Sequence, residues 1–162
     1  MNIITTKIIT TQNDTVWNRL PEGINNMTPK PVLVLTNVME QDSDEYKILM
    51  KMLDGSKLVP DQYNHVQIAD ADEISWSQLH HHLNPFVVFL LGVLPSKLGV
   101  AALFKINEPN NYDGTIWLPT IRITDVIRDE SFKSHLWNNG MKPLFLNKEK
   151  GELLCPSTQV KW

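Results

Sequence analysis

Residues 86–94 read FVVFLLGVL, and the six apolar residues from Phe86 to Leu91 stand without a polar interruption before Gly92. A run this short cannot span a bilayer. With apolar residues at odd and even positions alike, it describes a strand covered on both faces. Residues 32–36, VLVLT, repeat that pattern. Around these two runs the sequence alternates in kind. Asp42 or Ser43 can cap a helix that runs to about Leu53, with Tyr46, Leu49, Met50 and Leu53 on one stripe and Asp54-Gly55 as its stop. His65–Ala69 alternates weakly as a strand, and Asp72 or Ser75 opens a helix ended by Asn84-Pro85. Val100–Lys105 and Thr115–Leu118 read as two further strands joined by the turn-rich NEPNNYDG. Thr124 to Trp137 is helical with a break near Asp129–Ser131, and Asn139-Gly140 reads as its end. Strands alternating with helices predict an α/β fold of three layers: a mostly parallel central sheet with helices on both faces.

The flanks differ from this regular centre. Residues 1–30 set Ile3-Ile4, Ile8-Ile9 and Val16-Trp17 among polar residues, and LPEGINNMTPKP follows with prolines at 21, 29 and 31. They read as an N-terminal arm and connector, followed by a single α/β domain over 31–146 and a C-terminal tail over 147–162. The arm's Ile8, Ile9, Val16, Trp17 and Leu20 form an apolar segment with an aromatic anchor, either docked on its own domain or offered to a partner.

Composition excludes several function classes. A net charge of −3 argues against a surface that grips nucleic acid over its whole extent. One cysteine, Cys155, excludes a disulfide framework and a cysteine-ligated cluster. The opening MNIITTKIITTQND lacks a signal peptide's basic and apolar regions, so a cytoplasmic protein is expected.

Chemistry-bearing motifs are sparse. His80-His81-His82 cannot face one metal ion from a helix, because consecutive residues point about 100° apart. Neither glycine-rich phosphate loop occurs, and Ser96 lacks a nucleophile elbow and reads as a helix N-cap. No metal and no cofactor is implied. Trp76, Trp117 and Trp137 sit among apolar neighbours as core residues.

Three segments taken in order, VLVLTNV, VVFLLGVLPSKLGV and YDGTIWLPTIRITDVIRDESFKSHLW, resemble the uracil-DNA glycosylase fold over about residues 30–140. The resemblance places Leu118-Pro119-Thr120 where those enzymes carry a His-Pro-Ser/Ala motif, then Arg128-Asp129 at a helix break and Leu136-Trp137 in the following helix. It also implies how this chain departs from an enzyme of that kind. The water-activating loop would contain Gly-Glu-x-Pro-Gly, whereas Thr36-Asn37-Val38-Met39-Glu40 stands here. Leu118 occupies the position of the histidine that stabilises the departing base, and it has no hydrogen to donate. Asn37, Glu40 and Leu118 are therefore the degenerate counterparts of catalytic positions, and no catalytic residue is expected.

Within that fold the chain is similar to the psi subunits of the bacterial DNA polymerase III clamp loader, which have no catalytic site. The similarity lies in Val16-Trp17, in VLVLTN, in Val59-Pro60-Asp61-Gln62-Tyr63, and in Pro119, Ile123-Thr124-Asp125-Val126 and Leu136-Trp137. It implies a non-enzymatic replication adaptor. Its N-terminal arm would meet the clamp-loader ATPase subunits, and its body would hold a chi-like subunit that links the loader to single-stranded DNA-binding protein. Two other readings stand beside it. One is a divergent uracil-DNA glycosylase or other DNA-repair hydrolase that uses Asn37 or Glu40. The other is a stand-alone interaction domain outside replication.

Overall fold

The computed structural model describes residue 20 and residues 22–146. The arm positions Ile8, Ile9, Val16 and Trp17 and the tail 147–162 lie outside the described residues. Helix α1 (Glu22–Asn25) precedes β1 (Val32–Asn37), α2 (Asp44–Gly55), β2 (Tyr63–Ile68), α3 (Trp76–Leu83) and β3 (Val87–Leu91). A hairpin of β4 (Asn110–Tyr112) and β5 (Thr115–Thr120) follows, then α4 (Ile123–Arg128), α5 (Glu130–His135) and a wide π-helical segment, Leu136–Leu146. Among the described residues no helix is long and apolar enough to cross a membrane.

The sheet order is β2-β1-β3-β5-β4. The first four strands are parallel and β4 runs antiparallel to β5, so the sheet is mixed. The two apolar runs of the sequence are its centre. In β1, Val32 and Val34 join a core with Leu49 and Leu53 of α2, while Leu33 and Leu35 join a second core with Leu79 and Leu83 of α3. All four β1 residues are fully buried, as are Val87–Leu90 of β3, because each strand feeds both cores.

Helix boundaries follow side-chain chemistry. Ser43 caps α2, its Oγ accepting from the Tyr46 amide at 3.2 Å, and Ser75 caps α3 through the Gln78 amide at 3.3 Å. Asn84 ends α3 in the left-handed conformation (φ 42°). Helix α2 continues through Gly55, and the left-handed residue after it is Lys57 (φ 59°), two positions beyond the expected stop.

Three expectations are corrected. Residues 100–105 form no strand. Val100 is buried, Ala102 and Phe104 pack on the second core and Leu103 is fully exposed, so the alternation is present without sheet pairing. The edge of β5 that such a strand would need is occupied by β4. This short strand follows from the two-residue turn Asp113-Gly114, whose φ values of 52° and 73° suit a tight hairpin. Second, Asn139-Gly140 does not end the last helix. Gly140 is buried inside the π segment, and a Cβ there would lie 2.7 Å from Leu118 Cδ1 and 2.9 Å from the Asn107 carbonyl oxygen. That glycine permits close packing. Third, Trp137 is only half-buried: it lies over Gly55 and walls a small apolar cavity of about 120 Å³ beside Ile48 and Met52. Trp76 and Trp117 are buried as expected.

The connector also contributes to the body. Ile24 is buried in the second core, and Leu20 and Met27 pack against it.

Candidate functional site: a crevice at the strand ends

The chain leaves β1 for β2 on one side and reaches β3 on the other, with α2 and α3 on opposite faces. The carboxyl ends of β1 and β3 thus diverge into a crevice, the place where open α/β sheets bind ligands. A cavity of about 350 Å³ lies there. Asn37 ends β1, Ile68-Ala69-Asp70 end β2, Gly92-Val93-Leu94 leave β3, and Arg122 follows β5; all line it, together with Ser96 and Lys97.

Gly92 decides the shape of the crevice. Its φ of +75° turns the chain sharply over Asn37, and a Cβ there would strike the Asn37 Oδ1 and the Arg122 Cγ. Asn37 Oδ1 is buried without a hydrogen-bond partner. The polar atom of Asn37 that the fold leaves without a partner is thus an acceptor, beneath the Gly92 turn. Lys97 Nζ donates to the Asp70 carbonyl at 2.6 Å, which holds its ammonium at the rim. Among the described residues Arg122 makes no ion pair. Cations outnumber anions in the lining: Lys97 and Arg122 against a single carboxylate, Asp70, with Asn37 and Ser96 as its neutral polar residues. Such a set suits an oxyanion and repels a metal cation.

A second, open groove of about 390 Å³ adjoins the crevice and shares Gly92, Val93, Leu94 and Arg122 with it. Its walls are apolar. Leu94, Leu103 and Ile106 are 70%, 102% and 51% exposed, and Phe104, Pro119 and Ile121 complete the surface, with Asp125 at one rim.

Among the described residues, the positions singled out in the sequence do not converge. Asn37 lines the crevice. Glu40 is exposed, and its carbonyl accepts the Ser43 amide and hydroxyl in the turn before α2. Leu118 is fully buried in the first core, packed under Gly140. Leu20 is half-buried on the second core. Ser96 is no N-cap: Leu94 precedes the 3-10 turn Pro95–Leu98, and Ser96 sits exposed within it. The triple histidine is dispersed as its spacing requires, with His80 against the Trp76 ring (centroids 5.1 Å apart) and His82 Nε2 2.9 Å from the Ile24 carbonyl oxygen. No group of His, Cys, Asp and Glu among the described residues could hold a metal ion. Arg122 and Lys97 escaped the sequence reading. Only the topology brings residues 37, 70, 97 and 122 together.

One half-buried histidine lies elsewhere. His65 Nε2 is 2.8 Å from Thr36 Oγ1, the Tyr46 ring lies alongside, and burial lowers the imidazole pKa below its ordinary 6.5. The unfolded chain therefore takes up this proton more readily than the folded one. The stability carried by the neutral ring is present above the unfolded value and lost as pH falls through the folded one. The urea midpoint is expected to fall on acidification below about pH 6.5, and less steeply in His65→Gln. Parallel profiles for the two proteins would remove His65 from the account.

Compared with known protein families and with curated proteins, the chain matches none.

Proposed function

We propose that this protein is a non-enzymatic adaptor of the bacterial replication machinery, a psi-like accessory subunit of the clamp loader on a degenerate uracil-DNA glycosylase fold of three layers. The observation that carries the reading is Leu118. At the position where the resemblance requires an oxyanion-stabilising histidine, an aliphatic side chain is wholly buried in the core and lines neither the crevice nor the groove. A glycosylase must place a hydrogen-bond donor on the departing base, and this position offers neither donor nor access. The parallel order β2-β1-β3-β5 with a core on each face agrees with the layered plan. Contact with the clamp-loader ATPase subunits falls to the N-terminal arm through Ile8, Ile9, Val16, Trp17 and Leu20. The body is left to hold a chi-like subunit and, through it, single-stranded DNA-binding protein.

Tagged full-length chain is expected to recover the clamp-loader ATPase subunits in a pull-down, and the same chain lacking residues 1–20 is expected not to. Equal recovery by both, or by neither, removes the arm from the argument.

The crevice favours one second reading, a divergent DNA-repair hydrolase, because Asn37 presents a polar edge there beside Arg122. Base release from uracil-containing single-stranded DNA that disappears in Asn37→Ala would support it and overturn the adaptor.

A further inference from the structure

The crevice and the groove form one continuous surface with two chemistries. The crevice gathers two cations, the Lys97 ammonium and the Arg122 guanidinium, with Asn37 and one exposed carboxylate, Asp70. The groove next to it is apolar, and its Leu103 is fully exposed, as monomeric proteins rarely leave a large side chain beside other exposed apolar groups. Arg122 belongs to both, so a ligand that meets its guanidinium lies at the junction.

We propose that this surface takes the free carboxyl terminus of a partner polypeptide. The terminal carboxylate is received by Arg122, with Asn37 and Lys97 beside it, and one or two apolar side chains of the same peptide lie on Leu94, Leu103 and Ile106. A carboxylate held by a guanidinium and an ammonium forms charge-assisted hydrogen bonds, and the neighbouring apolar surface supplies the burial that a lone exposed ion pair lacks. The charge balance favours this occupant. Two cations and one carboxylate line the crevice, and Asp125, whose amide donates to the Arg122 carbonyl at 3.0 Å, has Arg128 3.9 Å away as its own cation. The proposal does not depend on the replication reading.

The test is fluorescence anisotropy of the full-length chain with fluorescein-labelled pentapeptides ending in Leu, Ile, Phe or Met, each made as the free acid and as the carboxyl-terminal amide. At least one free acid is expected to bind saturably, and its amide to bind roughly tenfold or more weakly. Arg122→Gln and Leu103→Asp are each expected to weaken the acid by a similar factor. Both residues are exposed, so unchanged thermal melting of these variants separates lost binding from lost folding. Equal binding of acid and amide, absence of saturable binding by every peptide, or displacement by octanoate at equal concentration would overturn the proposal. The last result would assign the surface to a fatty anion.

Discussion

Trp117→Ala is expected to lower the unfolding free energy by about 3–5 kcal/mol, read as a fall in the urea midpoint with an unchanged slope. Trp117 is completely buried on β5 and is the hub of an aromatic cluster. The Trp76 ring meets it edge-on with centroids 4.5 Å apart, Phe104 stacks on it at 5.4 Å, and Tyr112 approaches edge-on at 6.1 Å. Its indole N–H donates to the Tyr112 carbonyl at 3.2 Å, which ties β4 to β5. Strands on one side and α3 on the other leave the site little freedom to collapse, so the cavity cost adds to the lost transfer energy. The effect has a local signature too. Residues 100–106 pair with no strand and are held to the sheet by the side chains of Val100, Ala102 and Phe104. Losing the ring under Phe104 is expected to expose this segment to proteolysis at protease levels that spare the wild type. Trp117→Phe keeps a ring but not the N–H and is expected to cost less than half as much. A loss of less than about 1 kcal/mol for the alanine variant would mean that the cluster does not anchor the sheet.

The two apolar strands were legible because burial on both faces leaves an unmistakable run of valine, leucine and phenylalanine. Caps were legible for a similar reason: Ser43, Ser75 and Asn84 act through their own side chain or backbone, with no help from distant residues. Where a residue's role depends on what packs against it, sequence misled. Val100–Phe104 alternates as a strand does, but alternation reports only which side is covered, and the free sheet edge was already occupied by β4. β4 itself, Asn-Asn-Tyr, carries no apolar signal, though Asp113-Gly114 beside it was a hairpin signal that could have been used. Asn139-Gly140 has the composition of a helix stop, and only the approach of Leu118 and Asn107 shows that the missing Cβ is what matters. The crevice was the least legible feature. Asn37 stood out through the resemblance, in the loop after the first strand, but Lys97 and Arg122 have no local signature and reach it only through the crossing order of the strands.

Leu118 brings fold and function to the same side chain. Leu118→Ala is expected to destabilise by about 2–5 kcal/mol, since it is fully buried among α4, the π segment and β3. Gly140→Ala is expected to destabilise as well, by overpacking, because its new methyl would press on Leu118 Cδ1 and on the Asn107 carbonyl oxygen. The second of these neighbours is fixed. Asn107 is buried, its amide donates to the Pro119 carbonyl at 2.8 Å and its Oδ1 accepts from the Thr120 hydroxyl at 2.7 Å. In the double variant the shortened Leu118 leaves room on one side only. The two losses should therefore sum to more than the measured double loss, by about 1 kcal/mol, a coupling typical of residues in contact. The same geometry bears on activity. Leu118→His would restore the residue type the glycosylase resemblance demands, but it would bury an imidazole among apolar side chains and is expected to cost stability without base release from uracil-containing DNA. Base release by that variant would show that a donor at position 118 can reach a bound base, and the adaptor reading would then lose its central support.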